Sequence, residues 1–222
     1  MGRAFPGDRR RRPHDPAKRA LDIALSSALL AILSPLFLVI AARVKLTSSG
    51  PVFFRQERIG QMMKPFMMLK FRTMRVNTDH AIHYEFVSSF IKSGNRVASA
   101  GKSGLFKIVN DPRVTSIGRL LRRTSLDELP QLWNVLRGDM SLVGPRPPLA
   151  YEVAQYQSWH RRRVLEAKPG VTGLWQVTGR SRTTFDEMVR LDIRYARTYS
   201  AWTDIKILLA TPRAVFSGKG AC

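Results

Sequence analysis

One segment limits what this chain can fold into more than any other. Ile23 to Ala42, IALSSALLAILSPLFLVIAA, is 20 residues without a charge. As a straight helix it would run about 30 Å, enough to cross the hydrocarbon core of a bilayer. It is too long and too far from the start for a secretory signal, and no small-residue cleavage pattern followed by a polar mature chain comes after it. Two features argue against an ordinary crossing. Basic residues stand on both sides: Arg9–Arg12, Lys18 and Arg19 before it, and Arg43, Lys45, Arg55 and Arg58 after it. The positive-inside rule therefore assigns no orientation. Ser34 and Pro35 lie inside the run. Pro35 has no N–H for the carbonyl of Ala31 and its ring clashes there, which predicts a kink, while the Ser34 hydroxyl is placed to satisfy part of the freed backbone. These residues alone leave a kinked spanning helix and a helix that returns to the same face equally open.

The charge narrows the partners. Against 16 acidic residues stand 37 Lys and Arg, a formal net charge of +21. Such a field attracts polyanions: nucleic acid, an anionic membrane surface or phosphorylated substrates. Nucleic-acid binding calls for a recognisable module with basic and aromatic residues interleaved, and none is legible here. A catalytically silent membrane scaffold is the other alternative to an enzyme. The single cysteine, Cys222, excludes a disulfide framework and fits a reducing compartment. His80 and His83 have no third partner in sequence and read as loop histidines rather than zinc ligands.

The 222 residues suit one domain with appendages. Residues 1–17 read as a disordered basic tail, 18–48 as the membrane-helix region and 49–222 as a catalytic domain. The runs starting at Pro51 and Pro65, parted by Gly60, predict a small hairpin. Met62, Met63, Met67 and Met68 are expected to pack rather than to meet lipid. Residues 76–104 read as a variable loop with one short helix around Phe86, Phe90 and Ile91. From Leu105 the pattern is mainly helical, broken at 145–148, 169–170 and Gly179. Tyr195 to Phe216 carries Ile205, Leu208 and Leu209 as a core stripe. The expected class is α+β, mainly helical, with a small hairpin.

Candidate chemistry concentrates at residues 122–131. Asp127 and Glu128 lie just downstream of Arg122 and Arg123, a carboxylate pair beside guanidinium groups. Such a pair suits a site that holds phosphate and a divalent cation while leaving one nucleophile available. On spacing alone a plainer reading stands ahead: Ser125-Leu-Asp-Glu128 is a capping box, with Ser125 capping a helix and Glu128 reaching back to its amide.

Several blocks together decide between these readings. Lys18-Arg-Ala-Leu-Asp22, Ser34-Pro35, Gly50-Pro-Val-Phe-Phe-Arg-Gln-Glu-Arg-Ile-Gly60 and Lys70-Phe-Arg-Thr-Met74 are followed by Ser125 to Pro147 (SLDELPQLWNVLRGDMSLVGPRP) and Lys168 to Arg180 (KPGVTGLWQVTGR). In this order, over roughly residues 18–220, the chain resembles the bacterial sugar transferases, monotopic phosphoglycosyl transferases that act on polyprenyl phosphate. The resemblance implies transfer of hexose-1-phosphate from a UDP-sugar to undecaprenyl phosphate with release of UMP, as the first membrane step of exopolysaccharide or other surface glycan assembly. It also implies a re-entrant helix with both ends cytosolic, at the bacterial inner membrane. Asp127 is then the nucleophile of a ping-pong reaction and Glu128 its metal-binding neighbour, with Mg²⁺ as the cofactor and Asp139 a second candidate ligand. Arg122 is the matched phosphate contact, Arg146 a phosphate or nucleotide clamp between prolines, and Gln176 and Arg180 line the nucleotide site. A helix beginning near Ser125 would aim its free amides at the phosphate. Anionic lipids account for the remaining basic excess. Whether the protein forms a homo-oligomer, and whether the sugar is galactose, glucose or another, is left open.

Overall fold

The computed structural model describes residues 16–76, 88, 91, 111–178 and 183–216. The basic tail up to residue 15, most of the 76–104 loop, His80, His83, Arg180 and Cys222 lie outside them.

The apolar run forms two helices, α1 (Pro16–Ile32) and α2 (Ser34–Thr47), bent by 62° at the break. The cause is the predicted one. Pro35 lies in the first turn of α2, where a missing N–H costs nothing, and the Ser34 hydroxyl donates to the Ala31 carbonyl at 2.8 Å. Among the described residues no single helix is long and apolar enough to cross a membrane, but the bent pair passes the same test together. Near the bend and beyond it Leu29, Ile32, Leu38 and Val39 are exposed.

Both ends of the pair are fastened to the rest of the molecule. At the start of α1, Lys18 pairs with Asp204 and donates to Tyr195 and to the Val143 carbonyl. Arg19 donates to the carbonyls of Val135 and Leu136, both at 2.6 Å. Buried Asp22 accepts from the Ser141 hydroxyl and the Leu142 amide. At the far end the Arg72 guanidinium donates to the carbonyls of Ser48 and Ser49. Lys18 and Arg19, which look like membrane-flanking charges in the sequence, are tethers inside the protein.

The hairpin is as expected: β1 (Phe53–Ile59) pairs antiparallel with β2 (Pro65–Phe71), from Phe53 opposite Phe71 to Ile59 opposite Pro65. Of its four methionines only Met68 is buried; Met62, Met63 and Met67 are exposed at or near the turn, so the expectation of ordinary packing holds for one of them. Helix α3 (Ser116–Thr124) leads through a single 3-10 turn (Leu126–Glu128) into α4 (Gln131–Arg137). The chain continues through β3 (Ser141–Val143), α5 (Ala150–Ala154), α6 (Arg162–Glu166), β4 (Gly170–Thr172), α7 (Leu174–Thr178), α8 (Phe185–Thr198) and α9 (Ala201–Phe216).

Two expectations need correction. Strands β3 and β4 pair in parallel, a second small sheet inside the part read as helical. Three-residue strands carry too little alternation to show a period, and all of β3 is buried. The close pairing needs Gly144 and Gly170, since a Cβ on either would collide with the backbone of the facing segment. The stripe drawn from Tyr195 to Phe216 is broken between α8 and α9. In α9 the buried apolar residue among those described is Ile207, while Leu209 is 75% exposed.

Three apolar clusters result. One joins Phe185, Met188 and Val189 of α8 to Trp175, Val164 and Ile91. A second centres on Val135, Met140, Val143 and Met68, and a third packs Ile40 and Val44 of α2 on Phe71 and Leu121. The third seats α2 directly against the hairpin and α3.

Candidate active site

A cavity of about 830 Å³ opens between the hairpin, the turn at 126–128 and the loop after β3. Five of the residues singled out from sequence meet there: Arg122, Asp127, Glu128, Arg146 and Gln176. Eight cationic side chains line it (Arg55, Arg58, Lys70, Arg72, Arg75, Arg113, Arg122, Arg146) against two acidic ones, Asp127 and Glu128. An enclosure of that charge suits a substrate carrying several negative charges.

The local backbone differs from the capping box. Ser125 ends α3 instead of starting a helix: it adopts a left-handed conformation (φ 57°) and makes no side-chain capping bond. Such a conformation costs an L-residue roughly 1–2 kcal/mol and usually falls to glycine. It reverses the chain at once, so that the next three residues form a tight turn. Glu128 does not return to the Ser125 amide; its Oε1 accepts from Lys70 Nζ of β2 at 2.8 Å. The helix expected to begin near Ser125 is only the single 3-10 turn Leu126–Glu128, without a side-chain cap. Pro130 starts the next helix only after the carboxylates have passed. The anion-attracting element is the ring of side-chain cations. A capping box does occur, at Thr184 and Glu187, remote from these residues in sequence.

Asp127 is 4% exposed, whereas the Glu128 side chain is one-quarter exposed. The pair thus divides into an enclosed carboxylate and a more open one. Asp139 is not brought to them. It follows α4, whose seven residues put roughly 10 Å between its ends, and its carboxylate faces Arg137 at 3.5 Å and Asn134. Arg123 is exposed and does not line the cavity. Gln176 presents a buried Oε1 that accepts no hydrogen bond from the described residues.

Several lining residues escaped the sequence reading. Lys70 and Arg72 belong to blocks that carried the resemblance, but nothing in their spacing says that one would hold Glu128 and the other the end of α2. Arg58 is nearly buried, donating to the Pro147 carbonyl and to Gln56, and burial followed by the neighbouring Arg146 charge pulls its pKa down to about 10. Behind it lies Glu152, fully buried, 3.1 Å from Arg146 Nη1 and 3.9 Å from Arg58 Nη1. Burial alone would raise the Glu152 pKa; Arg146, Arg58 and Arg163 outweigh it and hold the carboxylate below its usual range.

What can such an arrangement do? An enclosed carboxylate amid cations can attack an electrophilic phosphorus whose negative oxygens are neutralised. Comparison with known proteins gives the family. The family model described as "Bacterial sugar transferase" matches residues 13–218. Exopolysaccharide production protein ExoY of Rhizobium meliloti is 41% identical over 205 residues, 92% of this chain and 88% of that protein. Galactosyl transferase CpsE of Streptococcus agalactiae serotype III is 44% identical over 211 residues, covering 94% of this chain and 44% of CpsE. The undecaprenyl-phosphate galactose phosphotransferase of Salmonella typhimurium is 41% identical over 204 residues, covering 92% of this chain and 41% of that protein. The chain spans less than half the length of these last two relatives. With the match running from α1 through α9 and enclosing every residue of the cavity, the chain belongs to the bacterial sugar transferase family.

Proposed function

We propose that this protein transfers a hexose-1-phosphate from a UDP-sugar to undecaprenyl phosphate, through a phosphosugar carried on Asp127. The observation that carries this is the enclosed Asp127 beside Glu128 in a cavity with eight cationic side chains. The names of relatives agree with the substrates: an undecaprenyl-phosphate galactose phosphotransferase and a UDP-glucose:undecaprenyl-phosphate glucose-1-phosphate transferase are among them.

In the first half-reaction an Asp127 oxygen attacks the sugar-bearing phosphorus. The bond to the UMP phosphate breaks, and UMP leaves with the electron pair. In the second, an oxygen of polyprenyl phosphate attacks the same phosphorus and frees the carboxylate. Arg122 and Arg146 hold phosphate oxygens, and Lys70 keeps Glu128 oriented until substrate arrives. Gln176, with its unengaged buried oxygen, and Arg180 serve the nucleotide.

A resident Mg²⁺ fits the donor set in one respect and not in another. Among the described residues no group of three metal-ligating side chains exists, which rules against a protein cage. Mg²⁺ commonly binds one or two carboxylates and takes the rest of its ligands from phosphate and water, and Glu128 meets that requirement. Bound there it would neutralise diphosphate charge. Asp139, at the other end of α4, has no part in it.

The membrane reading rests on the tethers. Lys18, Arg19 and Asp22 pin one end of the bent pair and Arg72 the other, both to the domain that holds the cavity. A pair so fixed is re-entrant, with its exposed apolar bend in the lipid and the catalytic domain on the cytosolic face of the inner membrane. Anionic headgroups then meet the basic surface.

The test is UMP release from a panel of UDP-sugars with undecaprenyl phosphate and Mg²⁺. Asp127→Asn is expected to lower turnover more than about 1,000-fold, as loss of a covalent nucleophile does, and to abolish the adduct seen by mass spectrometry while UDP-sugar still binds. Full activity of Asp127→Asn refutes the nucleophile. Cysteine labelling at both ends of the bent pair tests re-entrance, and opposite-side accessibility refutes it.

A further inference from the structure

The loop after β3 is built in an unusual way. Pro145, Pro147 and Pro148 have no N–H, so this stretch offers mainly carbonyls, and four in a row are taken. Pro145 accepts from the Gly170 amide, Arg146 from Arg163 Nη2, Pro147 from Arg58 Nη1, and Pro148 from the Ile59 amide. Two of the four donors are guanidinium groups of buried arginines. Arg163 is further held by Tyr156 and by Asp192 at 2.6 Å. Glu152 sits among them with no exposed surface, accepting from Arg146 and facing Arg58.

The charges of this cluster do not cancel. Arg58, Arg146 and Arg163 bring three positive charges, and Glu152 and Asp192 bring two negative ones, so one positive charge is left over, and the two arginines on Glu152 are the pair that lines the cavity. A buried carboxylate needs both oxygens satisfied, and the choice of partners is what differs from case to case. This one is shared between two cations that would otherwise repel each other, and it keeps both at the cavity wall. Along β1, Arg58 lies four residues from Phe54, which pairs with Lys70, the residue holding Glu128. That is about 13 Å of strand. The arginine pair is thus offset along the hairpin from Lys70, yet it lines the same cavity as Asp127 and Glu128, and the Glu128 charge still acts on Arg58, as a clamp for the adjoining phosphate of one diphosphate requires.

We infer that Glu152 is a positioning residue: it presents Arg58 and Arg146 as a preformed two-pronged clamp for the phosphate that stays on the nucleotide. This rests on the donor reading above, in which the sugar-bearing phosphate goes to Asp127 and the nucleotide phosphate must be held elsewhere. In the first half-reaction the leaving UMP phosphate gains negative charge as the P–O bond breaks. A clamp fixed beforehand meets that charge without first having to gather two mobile side chains. Glu152 itself touches no substrate. In the second half-reaction UMP has departed and the clamp has no task.

The experiment uses the full chain in detergent, with UMP as the probe. Glu152→Gln, which keeps shape and removes charge, is expected to weaken UMP binding measured by calorimetry about 10- to 100-fold, the loss typical when the group orienting a binding side chain is removed. It should slow adduct formation equally, and leave the rate at which undecaprenyl phosphate discharges a preformed adduct unchanged. Glu152→Asp, which keeps the charge, should recover part of the loss. UMP affinity within about twofold of wild type for Glu152→Gln overturns the inference. Equal damage from Gln and Asp, or an equally slowed discharge step, also overturns it, because both mark a merely structural role. If Glu152→Gln does not fold, Arg146→Gln carries the test, since Glu152 then still faces Arg58. Weakened UMP binding supports the clamp, and unchanged binding refutes it. A wild-type protein that binds UMP but forms no adduct would sink the transfer reaction instead and leave the UMP series to decide the clamp.

Discussion

Asn134 is fully buried in α4, six residues after Glu128, and reaches across to the edge of β2 that β1 leaves unpaired. Its Nδ2 donates to the Met67 carbonyl at 2.8 Å and its Oδ1 accepts from the Leu69 amide at 3.0 Å. The side-chain amide thus takes the place of a neighbouring strand. Lys70, the next residue along, is thereby held where it meets Glu128. Asn134→Ala leaves both backbone groups without that partner. A buried group so stranded costs about 1–3 kcal/mol, and Met67 is exposed enough for its carbonyl to regain some water, so a loss of about 2–4 kcal/mol is expected. For a domain of this size that corresponds to a drop in Tm of about 5–15 °C. Thermal unfolding by circular dichroism measures it, and UMP release measured well below the variant's Tm should fall as well, because Glu128 loses its fixed partner. A Tm within about 2 °C of wild type, or unaltered UMP release from a destabilised variant, would refute the view that Asn134 spaces the hairpin from the turn at 126–128.

Three other outcomes are expected. Asp22→Ala removes two hydrogen bonds that a buried carboxylate accepts from β3 and should cost about 2–4 kcal/mol; hydrogen exchange at the Leu142 amide would rise while β2 amides keep their protection. Gly118→Ala places a methyl group inside contact distance of the Thr73 carbonyl, so α3 must shift; about 1–3 kcal/mol is lost and KM for UDP-sugar rises through Arg122. Burial holds the His160 pKa below its ordinary 6.5, against the pull of Asp186. The unfolded chain therefore takes up that proton first as pH falls, and the contribution to stability, whole above pH 6.5, is lost below it. Denaturation midpoints at pH 7.5 and 5.5 should differ less in His160→Gln than in the wild type.

Much of this was legible in the chain because it depends on local chemistry. A proline inside an apolar run bends a helix whatever surrounds it, and Ser34–Pro35 does so. Paired β-rich runs around Gly60 make a hairpin through contacts a few residues apart. The sequence also pointed to Asp127, Glu128, Arg122, Arg146 and Gln176, which the fold gathers around one cavity, while Arg180 lies outside the described residues. Where the reading went astray, a long-range contact had overridden a local rule. Ser125 has the spacing of a cap, but the chain must reverse there to present Asp127, and Lys70 from 58 positions away takes the carboxylate that was assigned to the cap. Asp139 is near Glu128 in sequence, yet a rigid helix keeps them apart. Lys18 and Arg19 look like lipid-facing charges until Asp204 and the end of α4 appear beside them.

By itself, then, the sequence determined the bent apolar pair and the hairpin, since each follows from neighbours along the chain, and it pointed to the residues that bring the chemistry through the resemblance of its blocks to a family. Only the tertiary structure decided which cations surround the carboxylates, that both ends of the bent pair hold to one domain, and that Glu152 stands behind Arg58 and Arg146. Those are pairings between residues six to 186 positions apart. Burial makes them strong by removing water, and no pattern of residue types along the chain records which distant partner burial will bring together.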